Sequence, residues 1–150
     1  LVAACCAAGT ASVSQSEKAI ALAHEFGILT GIAFQIKDDL FDYGTEDNIG
    51  KPTGIDIKEK KMTLPLIYAL NNSTWLEKRK MINIIKNHNE ESEQVKKVID
   101  FVIEKGGIMY ANKMMQHYKE KALKVLAQLP ENASRLSLEK LLIYAIERKK

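Results

Sequence analysis

The stretch SEKAIALAHEFGILTGIAFQIKDDLFDY, residues 16–43, decides the fold class. Its apolar residues recur at helical spacing without a proline, so it predicts one long helix, or two that share an axis, running to Gly44. A capping box of Ser14 and Glu17 is expected to start it. No part of the sequence alternates with period two for long enough to predict a strand. The predicted fold class is therefore all-α, a helical bundle.

Further helices are predicted on both sides of this stretch. The opening LVAACCAA has no polar face, so a helix there needs to be surrounded by other helices. The segment from Gly44 to Ile55 contains glycine and proline and predicts a functional loop. The downstream helices are expected from Thr63 and Pro65 to Leu70, from a capping box of Thr74 and Glu77 to Lys86, and over residues 95–103, 108–129 and 138–145.

Composition and charge exclude several classes of protein. With 46% hydrophobic and 27% charged residues, the 150-residue chain is globular. The net charge of +3 comes from interspersed Lys and Glu, which predicts no nucleic-acid partner. No apolar run approaches the roughly 18 residues that cross a bilayer, so no transmembrane segment and a cytoplasmic location are expected. Cys5 and Cys6 are adjacent, which suits buried thiols rather than a disulfide or a zinc site.

An acidic face marks the end of the long helix. At about 100° per residue, Gln35, Asp38, Asp39 and Asp42 fall on one side of it. Carboxylates three or four residues apart lie roughly 5–6 Å from each other and repel by about 3 kcal/mol at an effective dielectric of about 20. Bound cations remove this cost, and Mg²⁺ prefers carboxylate oxygen while keeping positions for water and phosphate. The face predicts a Mg²⁺ and phosphate site.

A solvated polar stripe is the ordinary alternative for such a group of aspartates. The following segment favours the metal site, because it brings Lys51, Asp56 and Lys61 close in sequence to the acidic helix. A diphosphate can share its charges between Mg²⁺ on one side and ammonium groups on the other. Each lysine taken alone is more typical of a solvated surface.

The stretches GIAFQIKDDLFDY and GKPTGIDIKEKKMTLPL resemble the second aspartate-rich region of the trans-polyprenyl diphosphate synthases, the family that includes farnesyl, geranylgeranyl and octaprenyl diphosphate synthases. The order FQ–x–x–DD–x–x–D, GK–x–x–G–x–D and K–x–TLP carries the resemblance over residues 31–66. GGI at 106–108, LP at 129–130 and the ending YAIERKK are also similar. The resemblance implies an all-α bundle of the isoprenoid synthase type, with residues 1–150 as the carboxyl-terminal half of a single domain.

The resemblance also implies an activity and a metal site. The family joins an allylic prenyl diphosphate to isopentenyl diphosphate head to tail, depends on Mg²⁺, and is usually a homodimer. Asp38 would be the main Mg²⁺ ligand of this motif, with Asp39 and Asp42 acting directly or through water. Gln35 would lie beside the allylic substrate.

Substrate-binding residues are implied by the same resemblance. Lys51 and Lys61 would hold the leaving diphosphate. Phe34 would lie near the prenyl chain or the allylic cation, with core packing as the alternative. A basic tail that can close over isopentenyl diphosphate would comprise Arg148, Lys149 and Lys150.

One part of the family pattern does not occur in this sequence. Such synthases carry an earlier aspartate-rich motif on a facing helix, along with arginines that receive isopentenyl diphosphate. We therefore expect the 150-residue chain not to turn over alone. A terpene cyclase is a weaker alternative, and a non-catalytic helical subunit or scaffold that binds a partner synthase stays open. Residues 44–65 resemble bacterial long-chain, octaprenyl-type synthases.

Overall fold

The computed structural model describes residues 1–14, 16–44 and 53–148, which form eight α-helices and no strand. The predicted all-α fold class is confirmed. The helices are α1 (Val2–Ala11), α2 (Glu17–Phe41), α3 (Ile55–Lys58), α4 (Leu64–Asn71), α5 (Trp75–Asn87), α6 (Ser92–Glu104), α7 (Gly107–Leu126) and α8 (Ala133–Glu147).

The chain divides into two compact units, and the first comprises Leu1–Gln35 with Met114–Lys149. Its buried apolar side chains come from α2, α7 and α8 and include Phe26, Leu126, Leu142 and Ile146. Helix α1 lies against α2 backbone to backbone, because a Cβ added at Gly27 would be 2.5 Å from the Cα of Ala3. No residue of α1 is buried, although the sequence predicts an enclosed helix.

The second unit, Ile36–Lys113, has a hydrophobic core of its own. Tyr43 and the side chains of α3 to α6 fill it, with Ile57, Leu66, Val98 and Val102 fully enclosed. Gly107 begins α7 beside α4, where a Cβ would overlap the carbonyl oxygen of Pro65. Both ends of α2 thus have separate surroundings, and its acidic end belongs to the second unit.

The start of α2 differs from the prediction. Ser14 does not form a capping box with Glu17: its Oγ accepts a hydrogen bond of 3.2 Å from the Ser16 amide. Ser16 caps the helix instead, because its Oγ accepts from the Ala19 amide at 3.3 Å. A second serine two residues further along offered a better-placed oxygen. The capping box predicted for Thr74 and Glu77 is confirmed.

The predicted loop between Gly44 and Ile55 falls mostly on residues 45–52, outside the described part of the chain. The sequence did not predict the single helical turn, α3, that the chain forms next at Ile55–Lys58. Four residues are too few to show apolar periodicity, so this turn leaves no pattern in the sequence.

Helix α2 is also long and apolar enough to cross a bilayer by length and composition, with a window of mean hydropathy 1.5. The core helix of a soluble protein meets the same criterion. Phe26 and Ala33 are buried in the first unit, and Ile36 and Leu40 in the second, while 28% of the apolar window as a whole is buried. The absence of a transmembrane segment stays a prediction.

Candidate functional site

The acidic end of α2 is where the sequence places its candidate site. The helix ends at Phe41, and Gly44 adopts a left-handed conformation with φ of 66° two residues after Asp42. Asp38 and Asp39 are half-buried, whereas Asp42 is only 6% exposed. The three carboxylates therefore do not have equivalent surroundings.

Asp42 is bound by backbone groups from the start of α3. Its Oδ1 accepts a hydrogen bond from the Ile55 amide at 2.8 Å, and its Oδ2 accepts one from the Asp56 amide at 3.0 Å. Its carbonyl oxygen accepts a third, from the Gly54 amide at 2.9 Å. The carboxylate thus satisfies two of the amides that a helix leaves open at its amino end.

Contacts with α5 and α6 fix the other sides of α3. Gly54 has φ of 77° and passes so close to α6 that a Cβ would overlap Val95 Cγ1. At the far end, Asn89 donates from Nδ2 to the Lys58 carbonyl oxygen at 2.6 Å. Lys60 then adopts a left-handed conformation, φ 59°, and donates from Nζ to the Lys86 carbonyl oxygen at 3.0 Å. The chain turns sharply here, immediately before Lys61.

Lys61 is held by two carboxylates. Its Nζ lies 3.0 Å from Asp56 Oδ1 and 2.6 Å from Glu59 Oε2. Its amide also donates to the Asp56 carbonyl oxygen at 2.8 Å. Hydrogen bonding to Glu59 and then to Asp56 raises the pKa of Lys61, so its ammonium stays charged throughout the physiological range.

A buried hydrogen bond joins Tyr43 to the K–x–TLP segment. The Tyr43 hydroxyl lies 2.5 Å from Thr63 Oγ1, and both residues are buried. Thr63 is the N-cap residue of α4, yet its side chain makes no capping bond, because the oxygen is engaged by Tyr43. Burial raises the pKa of Tyr43, so this hydroxyl remains neutral.

Two other predicted residues meet in the first unit. The Arg148 guanidinium stands over the Phe34 ring, with Cζ 4.7 Å from the ring centroid, a cation–π arrangement. Phe34 is half-buried and Gln35 is exposed on the next position of α2. Lys51, Lys149 and Lys150 lie outside the described residues, so their predicted roles have no structural counterpart.

The metal prediction can be tested against the chemistry of the donors. Within residues 1–14, 16–44 and 53–148, no three His, Cys, Asp or Glu side chains are arranged to hold a metal ion. Asp38 and Asp39 nevertheless provide two carboxylates from adjacent positions of one helix. Mg²⁺ commonly binds through one or two carboxylates and completes its shell with water and substrate phosphate. Asp38 and Asp39 fit an ion shared with a diphosphate, but not a closed protein cage.

Sequence reasoning missed several residues that build this region. Asn89 and Glu59 lie in polar stretches typical of a solvated surface, so the sequence does not single them out. Their contacts form only because α3 is folded. Lys37 is 8% exposed with its Nζ 4.9 Å from the Phe41 ring centroid, so it lies against that ring. Thr63 was not missed in this way, because its place two residues before Pro65 is a usable signal and predicts the start of α4.

Comparison with known proteins identifies the family. The family model described as Polyprenyl synthetase matches residues 1–102. Heptaprenyl diphosphate synthase component 2 of Bacillus subtilis (strain 168) is 31% identical over 150 residues, which is 99% of this chain and 42% of that protein.

Solved structures agree in fold. Geranylgeranyl pyrophosphate synthase from Bacteroides thetaiotaomicron superposes with a TM-score of 0.87 at 39% identity, covering 98% of this chain and 48% of that one. The polyprenyl synthase from Caulobacter crescentus CB15, complexed with calcium and isoprenyl diphosphate, gives a TM-score of 0.85 at 29% identity, covering 99% and 46%.

The protein thus has the all-α isoprenoid synthase fold, and it belongs to the polyprenyl synthetase family. The chain spans less than half the length of each of these three relatives. Those relatives include geranylgeranyl and heptaprenyl synthases, so the predicted octaprenyl type stays a prediction.

Proposed function

We propose that this chain carries the second aspartate-rich site of a Mg²⁺-dependent prenyltransferase, which condenses an allylic prenyl diphosphate with isopentenyl diphosphate. One observation carries the proposal. The hydrogen bonds from Ile55 and Asp56 to Asp42 attach the segment bearing Lys61 to the helix end that bears Asp38 and Asp39. Family membership and a relative crystallised with calcium and isoprenyl diphosphate support the same conclusion.

Each residue has a role in binding the leaving diphosphate. Asp38 and Asp39 would hold Mg²⁺, which when bound supplies positive charge to the departing diphosphate. Lys61 and Lys51 donate hydrogen bonds from their ammonium groups to diphosphate oxygens. Gln35, one turn before Asp38 on α2, would contact the allylic substrate.

The reaction needs the protein chiefly for charge and orientation. The allylic C–O bond breaks with its electron pair leaving on the diphosphate, the isopentenyl double bond attacks the allylic carbon, and a proton passes to the released diphosphate. Lys61 stabilises charge that grows as the bond breaks, and fixed donors of this kind usually supply the largest catalytic term. Phe34 would contact the prenyl chain, and Arg148, which stands over the Phe34 ring, would contact isopentenyl diphosphate.

Calorimetry with inorganic pyrophosphate tests the site. The 150-residue chain should bind pyrophosphate in the presence of Mg²⁺ and not in its absence. Asp38→Ala should abolish this binding, and Lys61→Ala should weaken it about tenfold, the loss typical of a charge-assisted hydrogen bond. Asp100→Ala, an exposed aspartate on α6, is the matched control and should bind normally. An isotherm unchanged by Asp38→Ala would contradict the proposal.

A second candidate function is a helical subunit that binds a partner synthase. Helix α1 has no buried residue, and an apolar groove of about 640 Å³ lies beside it, lined by residues that include Val13, Phe26 and Leu138. The Bacillus subtilis relative is named component 2. Under this candidate, Asp38→Ala would leave pyrophosphate calorimetry unaltered while the chain still bound a full-length synthase in a pull-down.

A further inference from the structure

We propose that Asp42 is a positioning residue, whose carboxylate ties α3 to the end of α2 and thereby places Asp56 and Lys61, instead of serving as a metal ligand. The tie itself is independent of the proposed function. Only its effect on diphosphate binding rests on that function.

The surroundings of the Asp42 carboxylate carry this inference. Both oxygens accept backbone amides, at 2.8 and 3.0 Å, and the residue is 6% exposed. Mg²⁺ requires nearly octahedral coordination and retains several of its waters, which need open space around the ligand. Asp38 and Asp39 are both more exposed than Asp42.

The same contacts explain how Asp42 can act at a distance. The Asp56 amide donates to Asp42 Oδ2, and Asp56 Oδ1 accepts from the Lys61 ammonium, at 3.0 Å in each case. Asn89 holds the opposite end of α3, and the Gly54 backbone is packed against α6. Loss of the Asp42 carboxylate therefore removes both side-chain acceptors at the amino end of α3, the end from which Asp56 reaches Lys61. The hydrogen bond from the Gly54 amide to the Asp42 carbonyl oxygen and the packing of Gly54 on α6 still hold that end.

Amide hydrogen exchange of the metal-free chain tests the tie. Exchange at Ile55 and Asp56 should accelerate about tenfold in Asp42→Asn, which keeps one acceptor oxygen, and further in Asp42→Ala, which keeps none. Amides of α6 should be unchanged. Asp38→Asn, matched in charge and on the same helix, should leave the Ile55 and Asp56 amides as in the wild type. Wild-type exchange in Asp42→Ala would overturn the proposal.

A measurement on the wild type covers the case in which the Asp42 variants do not fold. If Asp42 were a ligand, saturating Mg²⁺ and pyrophosphate would withdraw charge from its oxygens, weaken the hydrogen bonds that they accept and accelerate exchange at Ile55 and Asp56. We expect exchange at these two amides to stay the same or become slower. Acceleration upon addition of Mg²⁺ and pyrophosphate would refute the positioning role.

A double-mutant cycle tests the route through Lys61. Asp42→Asn should weaken binding of Mg²⁺-pyrophosphate severalfold in the wild-type background and have no further effect in Lys61→Ala, because the two residues act on one contact. Additive losses would contradict a route through Lys61. If the wild type binds no pyrophosphate, the proposed function fails, while the exchange experiment still decides whether Asp42 holds α3.

Discussion

Lys61 meets its carboxylate partners before any substrate arrives. Glu59 is bound at 2.6 Å and is 55% exposed, whereas Asp56 is bound at 3.0 Å and is 21% exposed. The two acids keep the ammonium charged and confine it, but a diphosphate has to compete with Glu59 for it. Exposed ion pairs of this kind are weak, so the exchange of partners costs little.

Removing this competitor should strengthen binding. We expect Glu59→Gln to raise the affinity for Mg²⁺-pyrophosphate about two- to fivefold, since Lys61 then has one fewer acidic partner to leave. Calorimetry at fixed ionic strength measures it. Glu93→Gln, also an exposed glutamate, controls for the general change in charge. The same gain in a Lys61→Ala background would show that Glu59 acts by another route.

Asp42 shows what a motif cannot reveal at the level of single residues. The order DD–x–x–D places three aspartates on one face, and the periodicity is correct. Whether the carboxylate oxygens of an aspartate bind a cation or a backbone amide depends on where the chain after residue 52 packs against the end of α2. Helical spacing does not predict where that later segment packs. The hydrogen bonds from α3 to the Asp42 carboxylate are therefore visible only in the structure.

At the scale of elements, the stability that the capping box contributes at the start of α5 depends on pH. Glu77 accepts from the Thr74 amide at 2.8 Å and pairs with Lys105 Nζ at 2.8 Å. The hydrogen bond from Lys105, followed by that from Thr74, lowers the pKa of Glu77 from 4.5 to about 2. Because the folded pKa is lower than the unfolded one, the stabilisation is complete above about pH 4.5 and is lost as the pH falls toward 2.

Glu77→Gln should therefore destabilise the chain in a pH-dependent way. The midpoint of thermal unfolding should drop by a few degrees at neutral pH, and the difference from the wild type should vanish as the pH approaches 2. Circular dichroism melts across this range measure it, with Glu93→Gln as the control. A difference that stays constant with pH would show that the ionised carboxylate is not the cause.

The contact between α7 and α4 depends on a missing side chain. A Cβ at Gly107 would overlap the Pro65 carbonyl oxygen and lie 2.9 Å from Val102 Cγ1. We expect Gly107→Ala to cost about 1–3 kcal/mol, because backbone has to move. Gly9→Ala, in α1 where nothing lies within 4 Å, should be neutral or slightly stabilising. Urea unfolding compares the two, and equal costs would rule out this close approach.

Most helices were predictable because their apolar stripes are long. Helices α5 to α8 follow periodic residues and stop near Gly106 and Pro130, as expected. The prediction failed where an element is short, as in α3, or where several neighbouring residues could serve as the N-cap, as in α2. Three serines precede α2, and sequence cannot rank their capping geometry. The single turn of α3 is stabilised by Asp42 and Asn89, which lie 13 and 31 residues from their partners Ile55 and Lys58.

For the whole molecule, we expect the 150-residue chain to show no condensation by itself. Asp38 and Asp39 supply two carboxylates on one wall, and the chain spans 42% of the heptaprenyl synthase component that it matches. Incubation with radiolabelled isopentenyl diphosphate, an allylic diphosphate and Mg²⁺ should give no product. Product formation would show that one acidic wall is sufficient. Sedimentation of the same sample also measures whether the chain forms a homodimer, the state that the sequence predicts for the full-length enzyme.

Lys60 offers a route to a more heat-resistant variant. Lys60 lies in the left-handed region, φ 59°, a conformation that costs a residue such as lysine about 1–2 kcal/mol and that asparagine adopts more readily. Lys60→Asn should be neutral or up to about 1 kcal/mol more stable in urea. A loss of stability would mean that the hydrogen bond from Lys60 Nζ to α5 contributes more than the relief of backbone strain.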